Sequence, residues 1–202
     1  MQVVMVQVDQ PMDRSANRNA AAASAPEDAL LVVLDVDMHV QVGFLLRAVA
    51  LVRRGATAYF PVVWSKYNPA TVQAVEDWFG RPSIDLFHHT GSWREYGYGM
   101  VVMFKSDFDL VGGFDTSFQG WGGEDVAFYN SVRAHGLVVL RLCDKDLRHN
   151  WHAKNCTSLQ GTQFVSCMSS WAGQDGSSLG LLLRHAPHLF VQPVANASGP
   201  VP

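Results

Sequence analysis

Several features that would place a chain outside the ordinary globular class are missing here. No apolar run approaches the roughly 20 residues that a bilayer-spanning helix needs; the stretch Ala29 to Leu34 is cut off by Asp35. Charge is sparse, at 16% of residues against about 25% in an average soluble domain. It is also nearly balanced, with 15 basic and 18 acidic residues and a net charge of −3. Such a field does not draw in a nucleic-acid backbone, so nucleic acid is excluded as an expected partner. Three cysteines, Cys143, Cys156 and Cys167, are too few for a disulfide scaffold and lack metal-knuckle spacing. They allow one bridge and one free thiol. The opening residues MQVVMVQVDQ have no basic start, apolar stretch and small-residue cleavage site of a signal peptide. Internal repeats are absent.

What is present is apolar material for a core: 48% of 202 residues, enough for one ordinary domain. The stretch from Val3 to Val8 reads as a strand closed by the turn Asp9-Gln10-Pro11. Residues 12–28 are polar and alanine-rich, with Ala20 to Ala23 favouring helix and residues 24–28 breaking it. Ala29 to Leu34 reads as a strand buried on both faces. Phe44 to Arg53 has helical spacing, with Leu45, Val49 and Val52 on one face and Gly55 as its stop. Further strands are expected over 58–64, 98–104 and 137–142, the last of them. A helix is expected over Val126 to Ala134, with Val126, Tyr129 and Val132 on one side. Residues 68–94 read as aromatic and irregular, holding His88-His89, and the tail 184–202 as disordered. Strands alternating with helices give an α/β domain with a mostly parallel or mixed sheet.

Chemistry concentrates at three places. Asp35-Val36-Asp37 follows the buried strand, where residues two apart share a side and α/β sheets bind ligands. Hard oxygens there suit Mg²⁺ or Mn²⁺ carrying a phosphate-bearing substrate, although many strands simply end in solvated acids. Next comes Gly112-Gly113-Phe114-Asp115, then Gly120-Trp121-Gly122-Gly123-Glu124-Asp125 opening the Val126 helix. Glycines let the backbone approach a ligand, and the helix dipole favours two acids at its N-terminus. An acidic cap beside a packed Trp would need fewer glycines. Third, Arg148-His149 with His152 follows the last expected strand, where a histidine can supply a nitrogen ligand.

Together these residues resemble the chondroitin synthase and chondroitin N-acetylgalactosaminyltransferase group, in the superfamily that includes the β-1,4-galactosyltransferases. The block GGFDTSFQGWGGEDVAFYNSV is similar to that group's GGFD…GWG-ED motif. LLVVLDVDM, YFPVVWSKYNP, WREYGYGM, FKSD, DLRHNWHAKNC, QF..C and GSS..L follow the same order, and VQVDQPMDRSA resembles the strand and FSRA or FNRA turn before the metal strand. The likeness covers roughly residues 3–183.

The resemblance implies a GT-A fold: a mixed central sheet flanked by helices, with 1–183 as the C-terminal catalytic portion of the domain. Its N-terminal nucleotide-binding unit would precede this chain. It implies inverting, metal-dependent transfer of N-acetylgalactosamine or a related hexose from a UDP-sugar donor to a glycan or proteoglycan acceptor. A non-catalytic polymerising-factor-like partner and a β-1,4-galactosyltransferase relative are the alternatives. Matched position by position, Asp37 and His149 would bind Mn²⁺ (or Mg²⁺), and Asp35 would lie nearer the nucleoside. Asp125 would be the general base, and Glu124 would position the acceptor or donor. Trp121 would wall the two sugars apart, with Gly122 and Gly123 beside it. Arg14 would touch the nucleotide, although MDRS lacks the aromatic of FSRA. In galactosyltransferase relatives a metal-binding Met stands three residues before the histidine; here it is Asp146, a harder ligand. The group also implies a Cys156–Cys167 disulfide, a Golgi-lumen setting, a membrane anchor in a longer product and a possible hetero-oligomer with a related glycosyltransferase. Asn155-Cys-Thr and Asn196-Ala-Ser are glycosylation sequons.

Overall fold

The computed structural model describes residue 6, residues 13–118 and residues 122–190. The strand and turn expected over residues 3–11 lie outside the described residues, save for an exposed Val6. Helix α1 (Arg14–Ala23) starts where the Asp13 side chain accepts from the Ala16 amide, a standard N-cap. It is longer than the alanine run alone suggested. Strand β1 (Leu30–Val33) then enters the first sheet and β2 (Met38–Val40) the second, with Asp35 to Asp37 lying between them. Asp35 and Asp37 therefore lie between two strands rather than on one.

Helix α2 (Val42–Leu51) follows, then β3 (Thr57–Tyr59) and β4 (Val62–Lys66). The segment expected to be irregular is ordered. Asn68 caps α3 (Pro69–Phe79) through its side chain, Pro69 takes the first helical position and Gly80 closes it in the left-handed region. Beyond it lie β5 (Gly91–Arg94), β6 (Val101–Phe104), α4 (Lys105–Leu110) and α5 (Glu124–Ala134). Strand β7 (Val138–Leu140) is not the last, because β8 (Cys143–His149) continues from it. Helices α6 (Gly161–Asp175) and α7 (Ser178–His185) and a 3-10 turn (Pro187–Leu189) complete the description. The boundary expected at residue 183 thus falls inside α7, and residues 191–202 lie outside the described residues. Among the described residues no helix is long and apolar enough to cross a membrane.

Instead of one central sheet there are two of four strands, ordered β1-β6-β3-β7 and β2-β8-β4-β5. Backbone hydrogen bonds join the two. The parallel β3–β7 ladder runs on into the parallel β4–β8 ladder through Phe60 N–H to Leu140 O (2.9 Å) and Val62 N–H to Leu142 O (2.8 Å). Side chains alternate across the first sheet. Val101 and Met103 join Phe108, Phe114, Phe128 and Val132 on one face, while Val102 joins Phe44, Ala48, Tyr59 and Leu147 on the other. Helix α2 therefore buries Phe44, Ala48 and the following Val52, and leaves Leu45 and Val49 exposed. Likewise α5 buries Phe128 and Val132, while Val126 faces solvent. Both helical periods were correctly placed, but each stripe was rotated by about one residue.

A polar cluster fixes the second sheet. Arg47 on α2 donates to both carboxylate oxygens of Asp144 and to Asp146, at 2.6 Å for the last, and the buried Tyr59 hydroxyl donates to Asp144 at 2.7 Å. The ladder slips here: Val63 pairs with Asp144, yet Trp64 pairs with Arg148. The Asp146 amide donating to Asp144 (3.0 Å) secures the extra residues. Burial raises the Asp144 pKa, but bonds from Arg47, Tyr59 and the Asp146 amide outweigh it and hold the carboxyl below its ordinary 3.8. Further along, the Cys156–Cys167 disulfide, with Cα atoms 5.9 Å apart, ties the segment after β8 to α6, and Cys143 is free.

Because the folded-state pKa of Asp144 is depressed, its contribution is complete above about pH 3.8 and is lost as pH falls through the folded value. Asp144→Asn is expected to lower unfolding free energy by about 3 kcal/mol at neutral pH and to flatten the acid limb of stability. Denaturant titrations across pH read both effects. Replacing Cys156 and Cys167 together by serine is expected to cost about 2–3 kcal/mol, from the short loop they close. Unfolding of the double variant in urea measures it.

Candidate active site

The turn between the sheets sends its two acids into different company. Asp35 Oδ1 accepts from Arg14 Nη2 at 3.0 Å and from Arg18 Nη2 at 2.8 Å, both from α1. Asp37 Oδ2 instead lies 3.2 Å from His149 Nε2 and 3.1 Å from His152 Nε2. The two acids, expected to share one side of the strand end, thus take different partners. Asp37, His149 and His152 each offer a ligand atom, and these atoms lie within 4.8 Å of one another.

The donor set suits a divalent cation on three counts. Asp37 Oδ1 is buried with no hydrogen-bond partner among the described residues. His152 Nδ1 lies 3.2 Å from the Ala153 carbonyl, which can only accept. A neutral His152 bonded there carries its hydrogen on Nδ1 and turns the Nε2 lone pair toward a carboxylate. His149 is held neutral: burial first, then the Arg94 charge, lower its pKa to about 4 against the opposing pull of Asp37. Neutral imidazole is the ligating form. Asp146 stands apart from the group. Three residues before His149 on the same strand, it is engaged by Arg47 of α2. His152, not Asp146, is the third residue of the group that could hold an ion.

Two further cations act on this centre. Arg94 donates through Nη2 to Ser65 Oγ at 3.2 Å, and burial lowers its pKa while Asp37 and Asp35 raise it. Lys154 bonds Ser170, and burial, followed by the Arg94 charge, brings its ammonium down to about 8.

Across the turn, α1 reaches the acids of α5. Glu124 is buried, at 4% exposure. Its Oε1 lies 3.5 Å from Arg14 Nε and 3.9 Å from Arg18 Nη1, and its Oε2 accepts from the Gly122 amide at 3.1 Å. Asp125 is partly exposed; its Oδ2 accepts from the Tyr98 amide at 3.3 Å and its Oδ1 from the Val126 amide at 2.9 Å. Gly123 begins α5 at φ 99°, and a Cβ there would meet the Phe118 ring at 3.0 Å, so glycine is needed. The preceding Gly-Gly-Phe loop is clamped by Asn19, whose amide group donates to the Phe114 carbonyl (2.8 Å) and accepts from its amide (2.9 Å). Arg18 stacks over the Phe114 ring at 5.0 Å. Of the expected site residues, Arg14, Asp35 and Glu124 form one linked group, Asp37 and His149 a second, and Gly122, Gly123 and Asp125 flank the first. Trp121 lies outside the described residues.

Arg18, Ser65, Arg94 and Lys154 were not singled out from sequence, and His152 was noticed without a role. Arg18 had a usable signal: it stands four residues after Arg14 on one helix, hence on the same face. Ser65 and Arg94 had none, because only strand pairing brings them to His149.

The chain is similar to known proteins over most of its length. Over 185 residues the chain is 35% identical to chondroitin sulfate N-acetylgalactosaminyltransferase 2 of Mus musculus, covering 89% of this chain and 34% of that one. It is 36% identical over 166 residues to chondroitin sulfate N-acetylgalactosaminyltransferase 1 of Homo sapiens, covering 78% and 31%. With chondroitin sulfate synthase 3 of Homo sapiens it shares 33% over 185 residues, covering 89% and 20%. The chain thus spans about a fifth to a third of the length of these relatives. The family profile for chondroitin N-acetylgalactosaminyltransferase matches residues 1–181, and the chain belongs to that family.

Proposed function

We propose that this chain is the catalytic portion of an inverting, metal-dependent glycosyltransferase of GT-A fold. It would move N-acetylgalactosamine or a related hexose from a UDP-sugar to a chondroitin-type glycan acceptor. The observation that carries this reading is the placement of Asp37, His149 and His152 beside Asp35, with Arg14 and Arg18 linking Asp35 to Glu124. Two imidazoles and one carboxylate favour Mn²⁺ over Mg²⁺, which prefers oxygen ligands. A divalent ion held there would stabilise the charge that develops on the departing diphosphate. Asp35, between Arg14 and Arg18, would face the nucleoside side. Asp125, at the mouth of α5, would accept the proton of the attacking hydroxyl, and Glu124, gripped by Arg14 and the Gly122 amide, would orient the sugars. Trp121 would separate donor from acceptor. The Cys156–Cys167 disulfide supports an oxidising compartment such as the Golgi lumen.

UDP release from a UDP-sugar by the purified chain is expected to require Mn²⁺, to stop on chelation and to be slower with Mg²⁺. Asp125→Asn is expected to reduce kcat by about 10²- to 10⁴-fold while Mn²⁺ binding is unchanged. Release at the parental rate overturns the base assignment. His152→Ala is expected to weaken Mn²⁺ binding by about tenfold or more, read by paramagnetic resonance of free Mn²⁺; unchanged binding would return the ligand set to Asp37 and His149 alone. A chain that binds a related glycosyltransferase yet shows no metal-dependent turnover is a partner subunit.

A further inference from the structure

The four strands of the second sheet deliver a row of polar groups. Asp37 precedes β2, His149 ends β8, Ser65 lies on β4 and Arg94 ends β5. Ser65 and His149 are register partners on the parallel ladder, and Met38, next to Asp37, is the partner of His149 on its other side. Contacts run along the row: Arg94 Nη2 to Ser65 Oγ at 3.2 Å, Ser65 Oγ to His149 Nδ1 at 3.2 Å, and His149 Nε2 to Asp37 Oδ2 at 3.2 Å. Ser65 and His149 are each only 3% exposed, so bulk water does not substitute for a lost partner.

The chemistry of these groups limits how the row is wired. A guanidinium only donates, so Arg94 occupies one of the two acceptor positions of the Ser65 hydroxyl. One donor and one acceptor position remain for the ring. With Nε2–H turned to Asp37, the hydroxyl donates to Nδ1, and every donor in the row points the same way. With Nε2 turned to a cation, the ring hydrogen must sit on Nδ1, and the same hydroxyl accepts it.

We propose that Ser65 is the positioning residue of the candidate metal centre, its hydroxyl serving His149 in both tautomers while Arg94 holds it in place. This rests on the metal reading above. The change leaves the ring neutral: Nε2 gives up one proton, Nδ1 takes one up, and the hydroxyl rotates. His152 has its own outer partner in the Ala153 carbonyl, so each ligating ring would be braced through its second nitrogen, as metal-bound imidazoles are. Alanine at position 65 would leave Nδ1–H buried without an acceptor in the ion-bound form only.

Mn²⁺ affinity, read by paramagnetic resonance of the free ion, tests this in the parent chain, Ser65→Ala and Ser65→Thr. Ser65→Ala is expected to weaken Mn²⁺ by about 10- to 100-fold, while Ser65→Thr, which keeps the hydroxyl, stays near the parent. Alanine that binds as tightly as the parent, or threonine that loses as much as alanine, overturns the inference and leaves the metal reading standing. A parent chain that binds no Mn²⁺ overturns both. A second measurement needs no variant: ring ¹⁵N shifts of His149 are expected to move from Nε2-protonated without metal to Nδ1-protonated with Zn²⁺. The same protonated nitrogen in both states overturns the inference.

Discussion

The grip of Arg47 on Asp144 and Asp146 sets where everything downstream falls. One step along β4, from Val63 to Trp64, is matched on β8 by the passage from Asp144 to Arg148. Backbone that leaves its ladder in this way needs other partners for its polar groups. The Arg47 guanidinium, the Tyr59 hydroxyl and the Asp146 amide gather around the displaced carboxylates. After the slip, His149 stands opposite Ser65 and next to Met38. A one-residue change in register would turn the ring to the other face of the sheet. The Asp144 and Asp146 carboxylates are thus engaged by Arg47 and Tyr59, while the group that could hold an ion is made by Asp37, His149 and His152.

Charge is divided with similar economy. Asp35 and Glu124 share the two arginines of α1, which makes that helix a bridge between the inter-sheet turn and the start of α5. Asp37, one residue beyond Val36, is left to the histidines. Arg94 and Lys154 then place positive charge around a centre whose own acid is single, and burial works against both of them.

Much of this was legible in the sequence where periodicity is local. β1, β6, α2 and α5 were placed within a few residues, and the acids of Gly-Gly-Glu-Asp were found because glycines and carboxylates crowd one helix start. Helix α3 was missed because its aromatics obscured the pattern, although Asn68-Pro69 and Gly80 mark its ends. Burial stripes on α2 and α5 were rotated because exposed valines and leucines look like core in a one-dimensional reading. Arg47 with Asp144, and Ser65 with His149, are joined only by folding over distances of 97 and 84 residues. No spacing rule reaches that far.

The joint between the two sheets bears on how the site is held. Among the described residues five chain segments cross the seam between them, and three are short: β1 to β2 through Asp35 and Asp37, β3 to β4 through Phe60 and Pro61, and β7 to β8 through Arg141 and Leu142; β2 returns to β3 through α2, and β5 to β6 through residues 95–100. Of the short ones, the first carries the acids and the third leads into β8, which ends at His149, so two of them contribute to the candidate centre. Tyr59 and Val102 of the first sheet share one buried cluster with Val63 and Leu147 of the second, so the seam that carries the acids is backed by apolar packing from both sides.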